Sequence, residues 1–125
     1  MTPVSVVENF IASWNRMDFD AVVSALSEDV YYHNIPMEPI SGHDKVTDYL
    51  SGAWIFSECD WRLINIAVSG DTVLTERIDA FVINGHPVAL PLMGIFVVTG
   101  DKISQWRDYF DLADYQQQLK AAGIG

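Results

Sequence analysis

The stretch WRLINIAVSGDTVLTERIDAFVINGHPVALPLMGIFVVTGDKISQWRDYF, residues 61–110, decides the fold class of this chain. Its apolar segments are rich in Val, Ile, Leu, Phe and Trp, and three short runs typical of hairpin turns interrupt them. The predicted strands are 61–69, 72–83, 88–98 and 102–110, and the turns are SGD (69–71), NGHP (84–87) and TGDK (99–102). The pattern predicts a four-stranded antiparallel meander, which the β-prone segment DVYYHN (29–34) is expected to join.

Helical patterns lie on both sides of this predicted sheet. Thr2 and Pro3 can begin a first helix, whose apolar residues recur at helical spacing as far as Trp14. Asp18 can cap a short second helix that carries Leu26 on its apolar side. Further helices are predicted at 43–54 and 112–121, and a loop with two prolines at 35–42.

Helices placed before and after a long meander predict an α+β fold. We expect a single domain, residues 1–125, in which a strongly curved, mixed or antiparallel sheet carries the N-terminal helices on its concave side. Such a cone encloses a pocket lined by the inward positions of its strands. Small ligands favour concave sites of this kind.

Charge and composition argue against several classes of function. The chain has 7 basic and 17 acidic residues, a formal net charge of −10, which disfavours binding to nucleic acid or to anionic membranes. The longest apolar stretch, residues 88–98, is too short to span a bilayer, and the first residues do not resemble a signal peptide. The only cysteine, Cys59, is interpreted as a buried core residue. A soluble, cytoplasmic protein is therefore predicted.

The stretch ERIDAF, residues 76–81, places charged residues within a predicted strand. Side chains alternate between the two faces of a strand, so Arg77 and Asp79 point to the same face, together with Phe81. If that face is the inner one, a cation and an acid lie in the pocket.

Two further stretches place polar side chains on one face of a strand. YYHNIP contributes Tyr32 and Asn34, and WRDYFD contributes Asp108 next to the apolar Phe110. This combination predicts an apolar pocket with a polar floor, which suits an apolar small molecule. The residues predicted to form its walls are Phe81, Phe110 and Leu92.

Two carboxylates close together in a poorly hydrated pocket resist ionising together, so one should keep its proton near neutral pH. Arg77 stays cationic and can donate hydrogen bonds to both Asp79 and Asp108. The set then supplies a general acid and a general base at once, each contributing roughly 10²- to 10⁴-fold in rate. Tyr32 and Asn34 could hold a water molecule against the base. This chemistry needs no metal and no cofactor.

These motifs resemble the catalytic set of limonene-1,2-epoxide hydrolases: YxN at Tyr32 and Asn34, RxD at Arg77 and Asp79, and the aspartate of WRDYFD at Asp108. That family belongs to the nuclear-transport-factor-2-like (NTF2-like) group, which also contains SnoaL-type polyketide cyclases and ketosteroid isomerases. The segments at 14–30 and 40–50 resemble this wider group, so the likeness extends over nearly the whole chain.

The resemblance implies a role for each residue of the set. Asp108 is the implied general base that activates water, and Tyr32 and Asn34 hold that water. Asp79 is the implied general acid that protonates the epoxide oxygen, and Arg77 bridges the two carboxyl groups. The implied reaction opens an epoxide to a vicinal diol in one step without a covalent intermediate, and members of the family are commonly homodimers.

Several alternatives remain open at this level. Arg77 and Asp79 could be an outward salt bridge or an inward, purely structural ion pair. The same acid and base could direct a substrate hydroxyl onto an epoxide, as in a cyclase, or the cone could host an isomerase, a polyketide cyclase or a non-catalytic binding module.

The three histidines lack metal-ligand spacing, which disfavours metal chemistry, and no GxSxG motif is present, which disfavours an α/β-hydrolase. The histidines are His33, His43 and His86.

Overall fold

A computed structural model describes residues 1–125 as four helices and six strands. The helices are α1 (Pro3–Asn15), α2 (Phe19–Ser24), α3 (His43–Ala53) and α4 (Leu112–Ala121). The strands are β1 (Leu26–Asn34), β2 (Ile40–Ser41), β3 (Glu58–Ser69), β4 (Thr72–Ile83), β5 (His86–Thr99) and β6 (Lys102–Tyr109). Every predicted helix and strand is present. Strand β2 was not predicted, because two residues that pair only with β1 carry no periodic pattern.

The six strands form one sheet in the order β2-β1-β6-β5-β4-β3. Strands β3 to β6 pair antiparallel in sequence order, as the meander predicts, and β1 joins β6 in parallel. Register shifts interrupt the β3–β4, β5–β6 and β1–β6 ladders. Because each irregularity bends a strand and increases its twist, the sheet curves around the helices. None of those helices combines the length and the apolar character needed to cross a membrane.

Strand β5 lies inside the sheet although it contains Pro87 and Pro91. Proline has no N–H group to donate to a ladder, and it is normally confined to strand edges. Pairing between β5 and β6 begins only at Met93, so residues 86–92 pair with β4 alone. The first half of β5 is therefore a free edge, where proline is tolerated.

Helix α4 covers this free edge. The side-chain amide of Gln118 accepts a hydrogen bond from Ala89 N and donates one to Ala89 O, both at 2.8 Å. The helix begins at an N-cap, Asp111, whose carboxylate accepts from Asp114 N at 3.1 Å. These two bonds hold α4 against β5.

Helix α1 lies on the concave face of the sheet and forms the centre of the core. The ring of Phe10 meets those of Phe96 and Trp106 edge-on, with centroids 5.8 and 5.1 Å away. Trp14 stacks on Trp61 of the edge strand β3 at 4.4 Å. Burying each of these side chains contributes roughly 1.5–3 kcal/mol. The helix therefore packs against β3, β5 and β6 at once.

The second helix is shorter than its apolar pattern predicts. Asp18 caps it by accepting a hydrogen bond from Ala21 N at 3.1 Å, as expected. Leu26, however, belongs to β1 and pairs with Ile103 of β6, so its placement on α2 was wrong. Over so few residues, apolar side chains at helical spacing also fit the start of a strand, and pairing with β6 decides between the two.

Asn15 joins the end of α1 to the edge strand β3. Its side-chain oxygen accepts from Trp61 N at 2.7 Å, and its side-chain nitrogen donates to Trp61 O at 3.0 Å. A sheet edge leaves such backbone groups without a strand partner. The amide of Asn15 therefore takes the place of a neighbouring strand at this position.

Asn15→Ala should lower the free energy of unfolding by about 1–2 kcal/mol, because Trp61 loses both of its hydrogen-bond partners. Urea unfolding followed by circular dichroism measures this change. Asn9→Ala is the matched control, since Asn9 lies exposed on the same helix. If the two variants were equally stable, the clamp between α1 and β3 would contribute nothing.

Candidate active site

Three charged side chains meet on the concave face of the sheet. Arg77 is fully buried, at 0% exposure, and Asp79 and Asp108 are only 6% and 3% exposed. Arg77 donates from Nε to Asp79 Oδ1 at 3.1 Å and from Nη2 to Asp79 Oδ2 at 3.0 Å. The same Nη2 reaches both carboxyl oxygens of Asp108 at 3.2 Å. The predicted bridge between the two acids is thus present in the structure.

The register of the sheet explains why these residues meet. Arg77 and Asp79 lie two positions apart on β4, so alternation directs both inward. Asp108 on β6 is paired with Gly94 of β5, which leaves no side chain between Asp108 and Arg77. Trp106, two positions before Asp108, donates from its indole Nε1 to Asp108 Oδ2 at 3.1 Å. This contact was not predicted, although the same alternation would have indicated it.

Tyr32 and Asn34 reach the same site through the parallel pairing of β1 with β6. Their register partners are Trp106 and Asp108, respectively. The ring of Tyr32 stacks on Trp106 with centroids 4.1 Å apart, and its hydroxyl lies 3.0 Å from Asn34 Nδ2. All five residues of the predicted set are therefore brought together.

A cavity of about 220 Å³ opens onto this polar floor. Of the 21 residues that line it, 18 are hydrophobic, so the cavity is mainly apolar. The three polar ones are Asn34, Asp79 and Asp108. Arg77 does not line the cavity and lies beneath the acids, out of reach of a ligand.

The walls contain all three apolar residues predicted from the sequence, Phe81, Phe110 and Leu92. Cys59 also lines the cavity and is half-buried, so its interpretation as a buried core residue was wrong. Its strand position pairs with Phe81, which places both side chains on the inner face. Sequence reasoning missed the wall residues on the helices, because helical spacing does not say which apolar side chains border an empty space. They include Trp14, Tyr49, Leu50, Tyr115 and Leu119.

The environment alters the protonation of both acids. Burial raises the pKa of Asp79 to about 6. The positive charge and hydrogen bonds of Arg77 lower this pKa, and the charge of Asp108 raises it further. Burial also raises the pKa of Asp108, and hydrogen bonds from Arg77 and Trp106 oppose that increase. Burial disfavours the charged form of Arg77, but attraction to Asp108 and Asp79 outweighs it and raises the Arg77 pKa. The site therefore favours one cation with a proton retained by the pair of acids.

Comparisons with known proteins place the chain in a family. Residues 1–121 match the family described as the limonene-1,2-epoxide hydrolase catalytic domain. The chain is 34% identical to epoxide hydrolase EphG of Mycobacterium tuberculosis over 108 residues, which cover 86% of this chain and 72% of that protein. It also superposes on the structure of an M. tuberculosis LEH-like epoxide hydrolase with a TM-score of 0.83 and 32% identity, covering 96% of this chain and 90% of the other.

A more distant likeness concerns the fold alone. A SnoaL-like protein from Shewanella putrefaciens CN-32 gives a TM-score of 0.83 at 14% identity, covering 95% of this chain and 96% of the other. The predicted cone-shaped α+β fold of the NTF2-like and SnoaL-like group is thereby confirmed.

The raised pKa of Asp79 predicts how stability depends on pH. From about pH 4 to about pH 6 the folded protein holds a proton that an unfolded aspartate releases, so Asp79 makes folding less favourable as the pH rises. The prediction concerns the difference between two free energies of unfolding, that of the wild type minus that of Asp79→Asn. This difference should fall by roughly 2–3 kcal/mol as the pH rises across this range.

Urea unfolding at several pH values measures this difference. Asp48→Asn, which removes an exposed carboxylate on α3, is the matched control and should show no such trend. A difference that stays constant or grows with pH would contradict the protonation described for the site.

Proposed function

Because the chain belongs to the limonene-1,2-epoxide hydrolase family, we propose that it adds water to a small or medium apolar epoxide and releases a vicinal diol. The observation that carries the proposal is the pair of buried acids, Asp79 and Asp108, joined by Arg77 at the floor of an apolar cavity. Two carboxyl groups with one proton between them supply both the acid and the base that epoxide opening requires.

Each residue has a defined part in one concerted step. Asp108, in its ionised form, accepts a proton from a water molecule that Tyr32 and Asn34 orient. The water oxygen attacks an epoxide carbon, and the carbon–oxygen bond of the ring breaks as Asp79 donates its proton to the leaving oxygen. Arg77 stabilises the changing charges from beneath. The proton on Asp108 then returns to Asp79 before the next turnover, and no covalent intermediate or cofactor is involved.

The substrate is limited by the size and polarity of the cavity. About 220 Å³ is below the range of roughly 300–1,000 Å³ that is typical of ligand pockets, which favours a compact molecule. The hydrophobic walls favour a hydrocarbon body and leave the epoxide oxygen to face the acids. A terpene, cycloalkene or styrene oxide has these properties.

Asp79→Asn and Asp108→Asn should each abolish diol formation, with losses of at least roughly 10²- to 10⁴-fold, because each variant lacks one of the two proton-transfer groups. A panel of terpene, cycloalkene and styrene oxides, followed by chiral chromatography, measures the activity. Asp48→Asn is the control and should keep full activity. Full activity in either active-site variant would refute the assigned roles.

The product separates water addition from the related cyclase reaction. In ¹⁸O-labelled water, a hydrolase places one labelled oxygen in the diol, whereas a cyclase closes a ring with the substrate's own hydroxyl and incorporates none. Unlabelled cyclic product from a hydroxylated epoxide would favour the cyclase. Failure to turn over any epoxide in the panel would favour a binding module.

We also propose that two copies of the chain associate through the convex face of the sheet. Leu74, Met93 and Tyr109 lie on this face and are 37%, 48% and 45% exposed. Glu76 is paired with Met93 of β5, and Arg107 is paired with Ile95 of the same strand. Paired residues share a face of the sheet, so an acidic and a basic side chain also lie on the convex face. A two-fold axis lets the same patch meet itself, with each charge opposite its complement.

Met93→Glu should dissociate this dimer, because it places a desolvated charge in the centre of each copy's contact patch. Light scattering coupled to size exclusion should give twice the chain mass of 14.0 kDa for the wild type and the chain mass for the variant. Ala12→Glu adds the same charge on the exposed side of α1 and should remain dimeric. A monomeric wild type would overturn the proposal.

A further inference from the structure

One nitrogen of the Arg77 guanidinium points away from both acids. Nη1 donates a hydrogen bond to Thr75 Oγ1 at 2.9 Å, whereas Nε and Nη2 serve Asp79 and Asp108. Thr75 is fully buried, at 0% exposure, and its hydroxyl donates in turn to Gly94 O at 3.0 Å. Since a hydroxyl has a single proton, this bond leaves only acceptor lone pairs directed at Arg77.

Gly94 supplies the space for this arrangement. A Cβ atom at this position would overlap Arg77 Nη1 and lie only 2.5 Å from Asp108 Oδ1 and 3.1 Å from Thr75 Oγ1. The backbone of Gly94 does not have the positive φ that favours glycine, so what matters here is the missing side chain. Glycine inside a strand often marks such a close approach.

We propose that Thr75 and Gly94 are positioning residues, which seat the Arg77 guanidinium so that its remaining N–H groups reach both acids at once. Without an acceptor beneath Nη1, the guanidinium could turn about its own stem and leave Asp79 or Asp108. Neither residue lines the cavity, so neither touches a substrate. Thr75 acts through Arg77, whereas the missing side chain of Gly94 leaves room for both Arg77 Nη1 and Asp108 Oδ1. The inference rests on the function proposed above and concerns how the acid pair is kept ready for it.

A purely structural role for Thr75 makes a different prediction. Valine has nearly the same shape as threonine and lacks the hydroxyl, whereas serine keeps the hydroxyl and loses a methyl group. If Thr75 only fills the core, Thr75→Ser should be the more harmful change, because it leaves a small void. If Thr75 orients Arg77, Thr75→Val should be the more harmful change, because Nη1 is left unpaired in a buried site.

The pH dependence of kcat/KM gives a second readout. It should not change if Thr75 only fills space in the core. Arg77 lowers the pKa of both Asp79 and Asp108, so a displaced guanidinium should raise both values further. The base must be ionised for activity, and the rising, low-pH limb of the kcat/KM profile should therefore move to higher pH in Thr75→Val.

Other titratable groups around the cavity do not interfere with this limb. They are Tyr32 on β1, Tyr49 on α3, Tyr115 on α4 and Cys59 on β3, and burial raises the pKa of each, that of Cys59 to about 12. All four stay neutral across the range in which the acids titrate. Helix α1 contributes no titratable group to the cavity wall.

The experiment compares Thr75→Val and Thr75→Ser with the wild type, using an epoxide that the wild type hydrolyses. Thr75→Val should lose roughly 10- to 100-fold in kcat with little change in KM, since the acids rather than the cavity walls are disturbed. Thr75→Ser should stay within about threefold of the wild type and keep its pH profile. Equal losses in both variants, or an unshifted low-pH limb in Thr75→Val, would overturn the proposal.

Gly94→Ala tests the part of the proposal that concerns Gly94. It should lower kcat and shift the same limb, whereas the matched control Gly52→Ala should keep both, because nothing lies within 4 Å of a Cβ atom added there. Unchanged kinetics in a folded Gly94→Ala would overturn this part.

A carbon-13 NMR titration of the aspartate carboxyl groups separates this inference from the function on which it rests. The midpoints of Asp79 and Asp108 should be higher in Thr75→Val than in the wild type, whether or not any epoxide is hydrolysed. Higher titration midpoints in a protein that hydrolyses no epoxide would support the positioning role of Thr75 and contradict the proposed function. Unchanged titration midpoints in an active enzyme would contradict the positioning role of Thr75 and leave the proposed function intact.

Discussion

A guanidinium group without access to solvent lies between two carboxyl groups at the base of an apolar cavity, and much of the surrounding structure serves to keep it there. Burying an unpaired charge costs several kcal/mol, so the buried Arg77 depends on the acids that face it. The same burial makes it unfavourable for Asp79 and Asp108 to ionise together. The interaction that makes the charge tolerable therefore also leaves a proton available for chemistry.

Four strands must hold their register for this contact to exist. Arg77 and Asp79 come from β4, Asp108 comes from β6, and β5 lies between them with Gly94 at the crossing point. Strand β1, joined to β6 in parallel, adds Asn34 directly opposite Asp108. A shift of one residue in any of these ladders would turn a member of the set to the convex face. The aromatic contacts under α1 stabilise the sheet behind the site and so protect this register.

The fold alone would not identify the chemistry. The SnoaL-like protein from Shewanella putrefaciens shares the cone with a TM-score of 0.83, yet only 14% of its residues are identical to this chain. A shared fold does not fix function, and the side chains that a cone carries on its inner positions decide what it can do. In this chain the inner positions carry acids two strands apart with an arginine behind them, and the proposed epoxide opening rests on that arrangement.

The sequence by itself determined the meander, the helical segments and the shared face of Tyr32 with Asn34 and of Arg77 with Asp79, because alternation and turn residues are local properties of the chain. Only the packed sheet showed that these side chains and Asp108 all point inward. The sequence could not show that β1 pairs with β6, that β5 has a free edge able to hold its prolines, or that Leu26 leaves the helix for the sheet. It also gave no sign of the seat beneath the arginine or of the helical residues that close the cavity. Those features depend on contacts between distant segments, and only the packed chain sets the distances that decide them.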